Sequence, residues 1–361
     1  MSQEITDEEY FLYYSQFFPK DDIIKFLSYN GEVPLDRRET TFCLKGDIFT
    51  RYQQFDNFSA SRFPNIRRIE IGPVYSAPMA KRHLNPEDFK PVEHELTFDI
   101  DMSDYDEVRT CCSGTNICPR CWHFMSSALI FLTEILTKNF GFKHILPVFS
   151  GRRGIHIWVC DEKARKLMPS VRKAIVNYLD LLNIVRSSPN PKCPLLDQIF
   201  PLIHRQFLNF ILPGQRVLTE KKLILKITDI LKSTPFLSNF NSAVQKMSKS
   251  SLDPIDIWKQ ELGQCFEKPI YKRIIVELTY PRLDVNVTTI MNHLLKTPFS
   301  IHPSSGLLSL PIPPDQIQNF PCDWVPDIHA LLDHQSDAIQ IFQDAIKQFE
   351  EFQEKTVQIL N

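Results

Sequence analysis

The sequence has few glycines, no long apolar run and almost no net charge. Of its 361 residues only 10 are glycine, whereas 26 are proline and 27 are phenylalanine, which excludes collagen-like and glycine-linker architectures. No run of about 18 apolar residues occurs, so no membrane span is expected. The formal net charge of −2 argues against a basic coat protein of the histone kind and excludes a disordered polyanion.

The first residues and the cysteines exclude further classes of protein. The opening segment, MSQEITDEEYFLYY, is acidic where a secretory signal would be positively charged, so secretion is not expected. The nine cysteines are odd in number and too few for a disulfide scaffold. A cluster among them is more typical of a metal site in a reducing compartment.

The length and the apolar pattern predict an α+β protein with a helical insertion. A chain of 361 residues suits two domains or one large domain with an insertion, and 43% hydrophobic residues suffice for an ordinary core. We predict a body formed by residues 1–185 and 268–361, and a helical insertion at residues 186–267. Individual elements are also predicted: helices at 121–140 and 166–183, a hairpin of Ile145–Phe149 and Ile155–Cys160, and strands at Arg273–Leu278 and Leu283–Val287.

The C-terminal segment Ser336–Leu360 has apolar residues three or four apart on one side, which predicts an amphipathic helix. Two interpretations are open for its apolar face. It packs against the body of the protein, or it docks a partner.

The segment from Glu93 to Met102, EHELTFDIDM, predicts a strand with one face in the core, because apolar and polar residues alternate along it. Asp99 and Asp101 then point the same way, about 7 Å apart along the strand. Two such carboxylates can bind one or two divalent cations whose other ligands are phosphates and waters. The alternative is a solvated strand face without a metal.

Residues 150–156, SGRRGIH, join the two strands of the predicted hairpin. The two glycines let the backbone approach an anion, and the forks of Arg152 and Arg153 match phosphate oxygens. The spacing is not that of a Walker loop, which argues against a P-loop ATPase. A hairpin turn with solvated arginines is the alternative, but a nucleoside triphosphate with bound Mg²⁺ would satisfy both this turn and the acidic strand.

Two later segments add candidate site residues. Asp284, in PRLDVNV, is predicted on the polar face of a strand, where a lone aspartate is ordinarily solvated but could complete a two-metal site. The segment HLLKTPFSIH, from His293 to His302, contributes Lys296 and His302 as basic candidates. Each of these two residues alone could equally be an ordinary surface residue.

Four of the cysteines fall within eleven residues with the spacing C-C-x5-C-x2-C: Cys111, Cys112, Cys118 and Cys121. Four thiolates suit a tetrahedral, structural Zn²⁺ site. Disulfides are the alternative, although adjacent cysteines pair poorly with each other, and His123 could replace one thiol. The other cysteines are scattered and are interpreted as core or surface thiols: Cys43, Cys160, Cys193, Cys265 and Cys322.

Together these segments resemble the small, catalytic subunit of the archaeal–eukaryotic DNA primases, most closely the eukaryotic type. Four stretches between Arg37 and Gly306 carry the resemblance, in the family's order: RRETTFCLKGDIFTRYQ, ELTFDIDMSDYDEVRTCCSGTNICPRCW, FGFKHILPVFSGRRGIHIWVCDE and PRLDVNVTTIMNHLLKTPFSIHPSSG. The resemblance implies a mixed two-sheet primase catalytic core with RRM-like elements, a zinc-binding motif at residues 111–121 and a helical insertion subdomain.

The resemblance also implies roles for single residues. Asp99, Asp101 and Asp284 would hold Mg²⁺ or Mn²⁺, with Glu39 beside them in the active site. A further set would bind the incoming nucleotide: Arg51, Ser150, Gly151, Arg152, Arg153, Gly154, Ile155, His156, His293, Leu294, Leu295, Lys296 and His302. Glu70 falls where close relatives often carry aspartate, which leaves its role open.

The activity that the resemblance implies is synthesis of RNA primers from ribonucleoside triphosphates on single-stranded DNA, by two-metal nucleotidyl transfer, to initiate DNA replication in the nucleus. The implied partners are a large primase subunit with an iron–sulfur cluster and the catalytic and accessory subunits of DNA polymerase alpha. Two alternatives remain open. One is another primase-polymerase of the superfamily, acting in translesion synthesis or end joining, and the other is a non-catalytic, zinc-containing nucleic-acid-binding scaffold.

Overall fold

The chain divides into two compact units in a computed structural model, which describes residues 4–55, 58–63, 65–83, 85 and 87–358. The first unit comprises Met1–Asp99, Gly141–Val176 and Leu283–Asn361. The second comprises Ile100–Phe140 and Asn177–Arg282. The boundaries predicted for the helical insertion, residues 186 and 267, stay a prediction.

A larger sheet lies in the first unit. Its strands are β1 (Arg38–Leu44), β2 (Ile48–Gln53), β3 (Ile66–Tyr75), β4 (Pro91–Glu93) and β8 (Leu295–Lys296). The strand order is β2-β1-β3-β4, and β8 also pairs with β3. The pairs are antiparallel, and the register places Cys43 opposite Arg68 and Glu70 opposite Lys296.

The smaller sheet has the order β5-β7-β6. Its strands are β5 (Leu96–Ile100), β6 (Ile145–Phe149) and β7 (Ile155–Val159). The antiparallel pairing of β6 with β7 confirms the predicted hairpin. The predicted strand around the acidic segment is confirmed for β5, because Leu96, Phe98 and Ile100 are fully buried while Asp99 stays partly exposed.

Helices make up most of the remaining structure, so the α+β class is confirmed as two sheets with many helices. The predicted helix at 121–140 is confirmed as Pro119–Phe140, and the one at 166–183 forms two helices, Pro169–Leu179 and Leu181–Ser187. The other α-helices are Asp7–Gln16, Lys20–Ser28, Glu162–Arg165, Pro194–Gln206, Leu212–Gly214, Lys221–Leu231, Leu237–Lys249, Pro254–Leu262, Pro269–Thr279, Val285–Thr289, Ile328–Leu332 and Ser336–Gln358. None of the helices in the described ranges is both long and apolar enough to cross a membrane.

Two predicted strands are wrong. Residues 273–278 belong to the helix Pro269–Thr279, which starts with a proline at its first turn and buries residues at helical spacing: Tyr271, Ile274, Ile275 and Leu278. Residues 285–287 belong to the short helix Val285–Thr289. Asp284 caps that helix, because its Oδ1 accepts a hydrogen bond from the Asn286 N–H at 2.9 Å.

The C-terminal helix packs against the first unit. The Phe349 ring lies 5.1 Å from the Phe26 ring and 5.4 Å from the Phe299 ring, and Phe342 lies 5.8 Å from Phe299. The interpretation that its apolar face packs on the body is therefore confirmed. The predicted end of the helix, Leu360, lies outside the described residues.

Candidate functional site

Glu39 and Arg51 meet on the larger sheet. The Glu39 side chain is fully buried, and its Oε1 accepts a hydrogen bond from Arg51 Nε at 2.8 Å. Its Oε2 accepts from the Tyr75 hydroxyl at 3.1 Å. The hydrogen bond to Glu39 raises the pKa of Arg51, so the guanidinium stays charged.

Lys296 lies in β8 opposite Glu70 of β3, and it connects the larger sheet to the turn at residues 150–154. Its Nζ donates a hydrogen bond to the Ser150 carbonyl. Burial, together with the charges of Arg68 and Arg152, lowers the pKa of Lys296 to about 7, although Glu70 and Asp99 act in the opposite direction. Glu70 is itself held by Arg68, whose Nε lies 2.7 Å from Glu70 Oε1.

The turn at residues 150–154, called the phosphate turn below, is closed by its own hydrogen bonds. The Ser150 N–H donates to the Gly154 carbonyl at 2.9 Å, and the Gly154 N–H donates to Ser150 Oγ at 3.0 Å. Ile155, the first residue of β7, is fully buried. Arg152 and Arg153 are partly exposed at the tip, where an anion could reach them.

Gly151 lets the phosphate turn pack against the loop that carries His302. Its φ of +85° favours glycine, and a Cβ at this position would lie 3.0 Å from His302 Cβ and 3.1 Å from the Leu307 carbonyl oxygen. Ser305 Oγ donates to the Gly151 carbonyl at 2.6 Å. His302 therefore stands directly beside the turn.

Two of the predicted site histidines, His156 and His302, are uncharged near neutral pH. Burial lowers the pKa of His156 to about 3, with Lys296 and His293 contributing, and burial likewise lowers that of His302 to about 3. His156 Nε2 lies 3.8 Å from Asp99 Oδ1, and the buried His156 Nδ1 has no hydrogen-bond partner in the described structure.

Residues 293 and 294 precede β8, and Leu295 is its first residue. The buried Nδ1 of His293 has no hydrogen-bond partner in the part of the chain that the structure describes. A Cβ on Gly72 would come within 2.9 Å of Leu294 Cδ2 and 3.0 Å of Glu39 Oε2, so a larger residue there would require these two side chains to move. Leu295 is buried.

The three aspartates lie at the ends of short elements. Asp99 is 32% exposed on β5, and its carbonyl accepts a hydrogen bond from the Asp284 N–H at 3.1 Å, which holds these two residues together in the first unit. Asp101 was predicted on the same strand as Asp99, but it follows the end of β5 and belongs to the second unit. Its Oδ1 accepts from the N–H and Oγ of Ser103 at 2.7 and 2.6 Å, so it caps the next short helical turn. Carboxylates are the ligands that Mg²⁺ and Mn²⁺ prefer, so each of these side chains offers donor atoms that suit a hard divalent cation.

The four clustered cysteines lie together in the second unit. Their sulfur atoms are all within 4.8 Å of one another, and they are the only group of three or more potential metal ligands at this spacing in the described ranges. Hydrogen bonding from Cys121 lowers the pKa of Cys111 to about 5, whereas burial raises that of Cys112 to about 11. Gln215 Nε2 lies 3.5 Å from Cys111 Sγ. Four convergent thiols fit a tetrahedral metal ion.

His123 is not part of the cysteine group. Its ring lies 4.5 Å from the Phe210 ring, with an angle of 35° between the ring planes. The other cysteines are also free thiols, and Cys43, Cys160, Cys265 and Cys322 among them are buried.

The sequence-based reasoning missed Tyr75 and Gly72. Tyr75 holds the Glu39 carboxylate, and Gly72 leaves the space that Glu39 and Leu294 occupy. The strand-like alternation of IRRIEIGPVY could have revealed that Gly72 shares a face with Glu70, since the two lie two residues apart.

The comparison with known proteins agrees with the sequence motifs. Residues 98–314 match the family model of the DNA primase small subunit. The DNA primase small subunit of Drosophila melanogaster is 34% identical over 379 aligned positions, which cover 96% of this chain and 85% of that protein. That of Schizosaccharomyces pombe is 34% identical over 352 positions, covering 91% and 78%.

An archaeal relative is similar over a shorter stretch. The DNA primase small subunit of Thermococcus kodakarensis is 31% identical over 186 positions, covering 49% of this chain and 50% of that protein. The resemblance drawn from the four segments is therefore confirmed, as is the prediction of a nucleotidyltransferase of the DNA primase type. The chain belongs to the DNA primase small subunit family.

Proposed function

We propose that the chain makes short RNA primers from ribonucleoside triphosphates on single-stranded DNA, by two-metal nucleotidyl transfer, to initiate DNA replication in the nucleus. One observation carries the proposal beyond family membership. The phosphate turn, Lys296 and the Asp99 carboxylate converge in the first unit, with His156 between the turn and the carboxylate. Cationic and anionic groups are thus next to each other, as a triphosphate with a bound cation requires.

The metal ligands in this proposal are Asp99, Asp101 and Asp284, with Mg²⁺ or Mn²⁺ as the ion. When bound, the cations would activate the attacking 3′-hydroxyl and neutralise charge on the phosphates. Asp284 is fixed by its helix cap and by its N–H bond to Asp99, and Asp101 by its bonds to Ser103. These bonds orient the carboxylates before any ion arrives.

The triphosphate would lie on the phosphate turn. Arg152, Arg153 and Ser150 would bind its oxygens, and Lys296 and His302 would contact it from the β8 side. Because His156 and His302 are neutral, each can donate one ring N–H without adding charge. Glu39 is proposed as a catalytic residue beside the aspartates. The remaining members of the proposed nucleotide site are Arg51, Gly151, Gly154, Ile155, His293, Leu294 and Leu295.

The wider assembly is proposed on the same basis. The two sheets would be the primase catalytic core with its RRM-like elements, and the four cysteines would hold a structural Zn²⁺. A large primase subunit with an iron–sulfur cluster and the subunits of DNA polymerase alpha would be the protein partners. The two relatives are each named a small subunit, which supports the large primase subunit as a partner.

A primer assay tests the central claim. Purified protein with Mn²⁺, an oligo-dT template and ATP should yield short oligoadenylates, and Asp101→Ala should abolish them. Asp104→Ala is the matched control, because it removes an exposed carboxylate from the same acidic segment and should leave activity intact. Parent activity in the Asp101→Ala variant would refute the metal assignment, and product made only from deoxynucleotides would indicate another primase-polymerase.

A further inference from the structure

The chain passes from the larger sheet to the smaller one through two residues, His94 and Glu95, which separate β4 from β5. This two-residue crossover decides how the two sheets of the first unit are aligned. Glu39 and Lys296 lie on the larger sheet, and Asp99 lies on the smaller one. The crossover therefore connects the two halves of the proposed active site within one unit.

Arg38 and Glu95 form an ion pair at the crossover. Both side chains are fully buried, and Arg38 Nη2 lies 2.5 Å from Glu95 Oε2. The Tyr29 hydroxyl donates to Glu95 Oε1 at 2.5 Å. Burial alone would raise the pKa of Glu95, but Arg38 holds it at about 2, so the pair is charged under all physiological conditions.

Two more arginines contact the crossover or the residue that precedes it. Arg172 donates to the carbonyls of His94 and Glu95, and to those of residues 164 and 165. Arg165 pairs with Glu93, the last residue of β4, and its guanidinium lies 3.6 Å from the centre of the Tyr29 ring. Three arginines thus converge on a segment of three residues.

A buried ion pair contributes little net free energy to the stability of a core, because the desolvation of both charges offsets their attraction. This pair is also imperfect, since Arg38 Nε and Nη1 have no hydrogen-bond partner in the described structure. Its position suggests another use. Arg38 immediately precedes Glu39 on β1, and Glu95 lies four residues before Asp99.

We infer that Arg38 and Glu95 are positioning residues that align the metal-binding carboxylate of Asp99 with the nucleotide face of the larger sheet. The inference rests on the proposed function, because it assigns Asp99 to a metal site. Neither residue contacts substrate in it. The buried ion pair is directional, so it fixes the position of β1 relative to the start of β5. An apolar contact has no such direction and would fix this position less specifically.

The test compares the double variant Arg38→Met/Glu95→Met with the parent. Replacing both charges with apolar groups of similar size is expected to keep the urea unfolding midpoint at or above that of the parent. The same variant should nevertheless need about tenfold more Mn²⁺ for half-maximal activity, as when groups behind metal ligands are lost. We expect kcat to fall on the order of 10²-fold, while KM for ATP changes less than about twofold, because the phosphate turn is untouched.

Tyr29→Phe is the second variant, for the case that the double variant does not fold. It leaves the ion pair and removes one hydrogen bond from Glu95, so it should shift Mn²⁺ activation in the same direction by a smaller factor. Lys246→Met/Glu261→Met is the matched control, since it removes a partly exposed ion pair of the second unit and should change neither quantity.

The outcomes separate the two ideas. If the double variant, or Tyr29→Phe in its place, matches the parent in kcat and Mn²⁺ activation, the positioning role is refuted and the pair only stabilises the fold. If KM for ATP rises in proportion to the loss of kcat, the role is also refuted, because the nucleotide face itself has then moved. A parent that makes no product with Mn²⁺ would refute the proposed function before any variant is compared.

Discussion

Single glycines decide how close the backbone of the site can approach its neighbours. Gly151 combines a positive φ with contacts on its open side, where a Cβ would lie 3.0 Å from His302 Cβ and 3.1 Å from the Leu307 carbonyl. Gly46 has a similar φ of +78°, but a Cβ there would meet nothing within 4 Å. An alanine would therefore be strained by the positive φ at both positions, but only at position 151 would its Cβ also collide with neighbouring atoms.

Gly151→Ala should weaken nucleotide binding more than Gly46→Ala. Both variants lose about 1 kcal/mol from the positive φ, but only Gly151→Ala also pushes the phosphate turn away from His302. We expect KM for ATP to rise about tenfold in Gly151→Ala, which corresponds to about 1.4 kcal/mol. Steady-state kinetics over a range of ATP concentrations measures it, and equal KM values in the two variants would contradict the geometry.

His94 is a buried imidazole that makes the fold sensitive to acid. It is 1% exposed, neither ring nitrogen has a hydrogen-bond partner in the described structure, and burial lowers its pKa to about 3. The unfolded chain binds a proton below about pH 6.5 and the folded one does not. Stability due to this residue is thus complete above pH 6.5 and is lost as the pH falls toward 3.

Replacing His94 should flatten that dependence. In the parent, each pH unit below 6.5 should cost about 1.4 kcal/mol per buried histidine of this kind. His94→Leu removes one such contribution, so its urea unfolding midpoint should fall less than that of the parent between pH 7 and pH 5. Parallel midpoint curves for the two proteins would show that His94 is not buried and neutral.

At the scale of elements, local patterns predicted those whose burial follows one simple period. The sequence of β5 alternates, β6 and β7 are short apolar runs on either side of a glycine turn, and apolar residues in Pro119–Phe140 recur every three to four positions, although the structure buries almost every residue of the three strands. The helix Pro269–Thr279 was misjudged because Ile274, Ile275 and Val276 form a β-branched run that reads equally well as a strand. The strand predicted around Asp284 was wrong because this aspartate is the N-cap of the helix Val285–Thr289, a role that the alternation of the next residues does not reveal.

In the candidate site, too, residues in contiguous motifs could be predicted, whereas residues that depend on tertiary contacts could not. The phosphate turn and Asp99 stand in contiguous motifs, so the sequence alone pointed to them. The Arg38–Glu95 pair joins positions far apart in the chain, and two fully buried charges leave no local pattern that distinguishes them from surface charges. Tyr75 was missed for the same reason, since its role depends on its tertiary contact with Glu39.

The segment from Cys111 to Cys121 carries the four clustered cysteines, which a bound metal ion would hold together. Cys112→Ser should lower bound zinc from about one atom per chain to a small fraction, because a hydroxyl is a poor zinc ligand. Cys193→Ser is the control. This thiol is partly exposed outside the cluster, where its sulfur accepts the Leu196 N–H at the start of a helix. Elemental analysis of the purified proteins decides, and equal zinc in the two variants would refute the Cys₄ assignment.

For the whole molecule, the near-zero net charge reflects local compensation more than a lack of charge. Residues 93–107 contain seven acids and no lysine or arginine, whereas residues 148–175 carry a balance of +5. The structure already pairs four of those acids with arginines: Glu93 with Arg165, Glu95 with Arg38, Asp106 with Arg109 and Glu107 with Arg282. Acidic and basic side chains thus lie next to each other in this part of the chain, and we expect no broad basic surface for unspecific contact with a phosphate backbone.

Weak salt dependence of template binding follows from this balance. A protein that neutralises three phosphates or fewer on single-stranded DNA loses at most about 20-fold in affinity between 50 and 200 mM salt, because the logarithmic slope is about −0.7 per phosphate. Fluorescence anisotropy with labelled oligo-dT across that range measures the slope for the isolated chain. A loss of about 10³-fold would instead require a broad basic surface. In the function that we propose, phosphate affinity is confined to the turn at residues 150–154 and the large subunit holds the template. Its addition should then raise the affinity at every salt concentration.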